Sequence, residues 1–149
     1  MKLKITEPII KQVAGSELTY VEGQILLENG AIKEFYAVKV NEDSIYKYKI
    51  LAYIEDWGHR LEVELQFDKS GELRTLWCDC PLHGGYGSFC RHTVAVLMYA
   101  KQQQTSFLKI KWESLETFLQ KRRVTELFNE YEESLSSVTS IKYSDEELV

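Results

Sequence analysis

The sequence is short of cysteine and of long apolar runs, and each shortage removes a class of protein. No apolar stretch approaches the ~18 residues a membrane-spanning helix requires, so no membrane partner is expected. The opening segment Met1–Pro8 lacks the apolar stretch of a secretory signal, which leads to the expectation of a cytoplasmic, reducing setting. Cysteine occurs three times, and an odd number would strand one thiol in any disulfide scheme. No Cys-x-x-Cys is present, which argues against thiol redox chemistry. GxxxxGK[ST] is missing too, so these residues carry no phosphate loop for ATP hydrolysis. No nucleophile–base pair or acid pair has a recognisable spacing, so neither catalysis nor a small-molecule substrate is expected. Basic residues are outnumbered: Lys and Arg total 18 against 23 Asp and Glu, for a net charge of −5, which argues against a dedicated nucleic-acid binder.

The scarce cysteines are not scattered. Cys78, Cys80 and Cys90 fall within fifteen positions together with His92, one of three histidines. Three thiolates and one imidazole form a Cys₃His set, a standard closed tetrahedral site for structural Zn²⁺. On an extended strand, residues two apart face the same side, so Cys78 and Cys80 can converge on one ion. On a helix, residues two apart diverge by about 200°. Cys90 therefore belongs in the turn before a helix, with His92 in its first turn. The apolar run Thr93–Ala100 that follows fits a buried helix.

A strand, Cys-x-Cys, a glycine-bearing loop and Cys-x-His opening an apolar helix resemble the SWIM zinc finger. That family occurs in bacterial SWI/SNF-type helicases, often near their N-termini, in transposases and in some eukaryotic signalling proteins. The resemblance covers residues 78–92, with context over about 60–104, and implies zinc binding with a role in contacting DNA or protein. It suggests an accessory module that contacts DNA, beside or within a SWI/SNF-type DNA-dependent helicase; the alternative is a zinc-stabilised protein-interaction module without nucleic-acid contact. The family pattern favours His92 over His83 as the fourth ligand, leaving His83 as a loop residue and His59 as a solvated turn residue.

The rest of the chain reads as α+β: an antiparallel meander of four to five strands, a zinc-bound junction, then two to three helices. Asn29-Gly30 suggests a type I′ hairpin between Gln24–Leu27 and Ala31–Val40. Residues 45–54 form a strand candidate. Arg60–Phe67 alternates cleanly, placing Leu61, Val63, Leu65 and Phe67 on one buried face. Asp68–Gly71 turns the chain into the strand that ends at Cys78. Leu115, Phe118 and Leu119 suggest a short helix, and Val124, Leu127, Phe128, Tyr131 and Leu135 an amphipathic one. With no repeat or flexible linker, the expected organisation is one domain over 1–136, containing the finger at 76–100, and an acidic, flexible tail over 137–149.

Charge is unevenly spread. Residues 101–124 carry six basic and two acidic side chains. Arg74, Arg91, Lys101, Lys121, Arg122 and Arg123 are the candidates for phosphate contact, although such a run is more often a solvated face. In Tyr46-Lys47-Tyr48-Lys49, strand alternation predicts that tyrosines pack inward and lysines face water. Trp112 and Phe107 are ambiguous between core and a partner-binding surface.

Overall fold

The chain begins with two capped helices. Thr6 caps α1 (Glu7–Ala14), its hydroxyl accepting from the Ile9 N–H, with Glu7 and Pro8 in the first turn. Ser16 caps α2 (Glu17–Glu28) by accepting from the Thr19 N–H at 3.1 Å. The computed structural model describes residues 2–40, 45–80, 90–105, 110 and 112–121. Outside the described residues lie loop 82–89 with His83, Phe107, Lys109, Lys111, Arg122, Arg123, the helix expected over 124–135, the boundary at 136 and the acidic tail.

The second helix corrects the expected hairpin at Asn29-Gly30. These two residues end α2: the Gly30 N–H donates to Leu27 O and the Ala31 N–H to Leu26 O, a Schellman closure with Gly30 at φ 70°. An Asn-Gly pair serves a helix stop, where only the glycine is left-handed, as well as a type I′ turn, and the run Gln24–Leu27 suits either element.

Four strands then follow in a meander: β1 (Ile32–Lys39), β2 (Tyr46–Asp56), β3 (His59–Asp68) and β4 (Leu73–Cys78). Consecutive strands pair antiparallel, and a three-residue β5 (Trp112–Ser114) joins β1 in parallel, giving the order β4-β3-β2-β1-β5. The fold is α+β, with a mostly antiparallel sheet. Residues 115–121 are helical. The chain divides into two compact units, Met1–Leu115 and Glu116–Val149.

Strand alternation sets the two faces of the sheet. Phe35, Ala52, Val63 and Cys78 line up across β1 to β4, and Ala37, Ile50, Leu65 and Leu76 form the next row. Leu61, Val63, Leu65 and Phe67 are buried as their alternation requires. Tyr48 faces inward and meets the Trp112 ring at 5.0 Å, which places Trp112 against the core. Lys49 faces the other way and pairs with Glu64 at 3.5 Å.

The inner face is covered by α3 (Arg91–Thr105), which touches β3 and β4 as well as α1 and α2. Contact with both layers explains why its residues Val94, Ala95, Val96, Leu97 and Ala100 are all fully buried. The α2–α3 crossing is close because Gly23 carries no side chain. A Cβ there would lie 2.5 Å from Val94 Cγ1 and 3.1 Å from the Arg91 carbonyl. Gly23→Ala should therefore force the helices apart and destabilise the fold by about 1–3 kcal/mol, the usual cost of overpacking. Denaturant unfolding checks this; an unchanged midpoint would mean the crossing is looser than described.

Candidate metal centre

The junction between β4 and α3 is built so that four side chains point at one place. Cys78 is the last residue of β4, opposite Val63. The ribbon continues one residue further: the Asp79 N–H donates to Glu62 O, and the Glu62 N–H donates to Asp79 Oδ1 at 2.8 Å. This hold on Asp79 keeps the chain extended, so Cys78 and Cys80 face inward together. Cys90 occupies the N-cap of α3, where the Thr93 N–H donates to its Sγ at 3.4 Å and the Thr93 hydroxyl donates to its carbonyl. The sulfur thus fills the place usually taken by a Ser or Asp oxygen. His92 follows in the first turn.

Cys78, Cys80, Cys90 and His92 are all buried, and their ligand atoms lie within 4.8 Å of one another. His92 turns Nδ1 toward the sulfurs, 3.7 Å from Cys90 Sγ. No disulfide links the cysteines. A tetrahedral ion with Zn–S bonds of about 2.3 Å requires donors of this type at this mutual spacing. The chemistry of the donors fits the same ion, being soft thiolates with one imidazole.

Hydrogen bonding within the cluster favours charge on Cys90. The bond from the Cys78 thiol acts most strongly, followed by His92 and the Thr93 N–H, and together they hold Cys90 far below the usual thiol range. The same bond, with burial, pushes Cys78 up. Burial opposes a charged His92, but its bonds to Cys90 and Asp56 prevail and raise it. The helix N-terminus adds partial positive charge where an anionic centre sits.

Asp56 was not legible as part of this centre. It ends β2, 36 residues before His92, yet its Oδ2 accepts from His92 Nε2 at 2.8 Å. The bond places the ring proton on Nε2 and leaves Nδ1 for an ion, the orientation a metal-bound imidazole commonly receives from a carboxylate. Burial works against the Asp56 charge, but His92 and Arg91 outweigh it and keep the carboxyl below its ordinary value. The one signal in the sequence was general: a ligating imidazole needs an acceptor for its second nitrogen.

Four of the residues expected to contact phosphate lie among the described ones. Arg91 donates through Nε and Nη2 to Asp56 Oδ2, at 2.9 and 2.8 Å, and through Nη1 to Glu22 at 3.4 Å. It joins β2, α2 and α3. Arg74 lies at the far end of β4 from the cysteines and pairs with Asp68 at 2.7 Å and Glu72 at 3.2 Å. Lys101 lies on α3, half-buried, and Lys121 is exposed at the end of the 115–121 helix. Arg91 and Lys101 share α3.

A family model described as SWIM zinc finger matches residues 62–101, from β3 through most of α3. No curated protein and no solved structure gives a match. The family match and the Cys₃His cluster agree on zinc as the ion bound here. No helix among the described residues is long and apolar enough to cross a membrane.

Loss of a carboxylate partner to a ligating histidine typically costs 10–100-fold in metal affinity. Asp56→Asn should weaken zinc binding by that factor in competition with a chromophoric chelator, while His92→Ala weakens it further. Equal affinity in Asp56→Asn and the parent chain would show that Asp56 does not position the ring.

Proposed function

We propose that this chain is a zinc-stabilised interaction module in which Cys78, Cys80, Cys90 and His92 hold one Zn²⁺ as a structural crosslink. The observation carrying this reading is the convergence of four buried donors from a strand end and a helix start. Four protein ligands leave no open position for water, so the ion serves the fold and not catalysis. What the module meets is a macromolecule, as the SWIM likeness suggests. Between DNA and protein, protein contact is the better supported. The net charge is −5, and the two described arginine candidates are engaged in ion pairs within the chain. A SWI/SNF-type helicase motor is a partner compatible with this reading, because contact with the motor needs no basic strip.

Structural zinc contributes about 10–16 kcal/mol of apparent binding free energy at neutral pH. A whole domain has only about 5–15 kcal/mol of net stability. Removing the ion should therefore unfold at least the segment from Leu76 to Ala100. Cys90→Ser should lose stoichiometric zinc by elemental analysis and lose helical circular dichroism to the same extent as the chelated parent. Full zinc content in Cys90→Ser would overturn the ligand assignment. For the partner, a labelled DNA duplex titrated at low salt should show no binding. Binding that weakens steeply as salt rises would return the DNA reading, since each neutralised phosphate releases counterions.

A further inference from the structure

The β2–β3 hairpin carries an unusual residue at its tip. Trp57 and Gly58 form the two-residue turn, with φ of 53° and 75°. A type I′ turn favours Asn or Asp at the first of these positions, because a left-handed backbone crowds any other side chain. Trp57 is the one non-glycine residue with positive φ among the described residues, and it is 86% exposed. The ring is thus held in a strained backbone conformation and left almost wholly in water, where it contributes little to the core. Strain of this kind points toward function more than toward packing.

A second exposed apolar feature is tied to the hairpin through Arg91. On α2, Leu18, Val21 and Ile25 are spaced by three and four residues, so they form one stripe, and they are 69%, 40% and 49% exposed. Arg91 connects the two features, because its guanidinium binds both Asp56, next to Trp57, and Glu22, next to Val21. The rim is acidic. Helix α2 presents Glu17 and Glu28 at the surface and has no Lys or Arg, and the hairpin adds exposed Glu55, while Glu22 and Asp56 are already paired with Arg91. Among the described residues Arg91 is the basic group that bridges them, and Arg60, just beyond the tip, is bound to Glu34 and stacked over the Tyr53 ring.

We propose that Trp57 and the Leu18–Val21–Ile25 stripe form one docking face for a basic, amphipathic helical segment of a partner protein. The apolar groups take the partner's apolar side, and the acidic rim takes its lysines or arginines. A second copy of this chain fits poorly, since its own α2 would bring glutamates against glutamates. Nucleic acid and anionic membrane are repelled by the same rim. The inference rests on the protein-contact reading for its partner class.

Two labelled synthetic peptides of eighteen residues test the face on the zinc-loaded full chain. Both carry leucines at helical spacing; one has lysines at the remaining positions and the other glutamates. Fluorescence anisotropy should show the lysine peptide binding at least tenfold more tightly than the glutamate peptide. Trp57→Asn and Leu18→Ser should each weaken the lysine peptide at least tenfold. Trp57→Asn should also melt at the same or a higher temperature, because asparagine tolerates the left-handed conformation. Absent binding, binding insensitive to both substitutions, or a lower melting temperature for Trp57→Asn overturns the proposal. So does a dimer in sedimentation that Leu18→Ser dissolves, which would give the face to a second copy. The DNA titration decides the protein-contact reading separately, so either result can fail without the other.

Discussion

The meeting of β4 with α3 is the contact on which the rest of this architecture depends. Cys78 and Cys80 leave the sheet on one side, and Cys90 and His92 begin the helix on the other. Helix α3 fills the centre of the fold, buried between the sheet and the α1–α2 pair, and its N-terminus is fixed where these four groups converge. Buried thiols pack as small apolar groups, while His92 brings polar atoms that Asp56 and Cys90 meet. An ion binds all four donors at once and ties the strand end to the helix start.

A shell of charge surrounds that tie. Asp56 orients the His92 ring, and Arg91 binds Asp56 and reaches Glu22, so one chain of contacts runs from α2 through the hairpin to the metal centre. Its consequence is mechanical: the exposed face on α2 and the tip at Trp57 are referenced to the same point as the four donors. Gly23 allows α2 to sit close enough to α3 for this arrangement.

Parts of this design are plain in the sequence because they are local. The two-residue step from Cys78 to Cys80, the alternation of Leu61 to Phe67 and the apolar run after His92 each state their own geometry. Other parts are not local. Asp56 and His92 are 36 residues apart, and nothing near either predicts the bond between them. Asn29-Gly30 was ambiguous because a helix stop and a hairpin turn both take a left-handed glycine; the cap at Ser16, which starts α2, was the discriminating signal. The three-residue β5 is set by its pairing with β1, which no local propensity encodes.

The central claim is that one zinc ion is held by three sulfurs and one nitrogen at this junction. X-ray absorption at the zinc edge, on protein purified without added metal in reducing buffer, tests it most directly. The account predicts one equivalent of zinc with three sulfur neighbours at about 2.3 Å and one nitrogen at about 2.0–2.1 Å. A folded protein without zinc, or a first shell containing oxygen or fewer than three sulfurs, would contradict it.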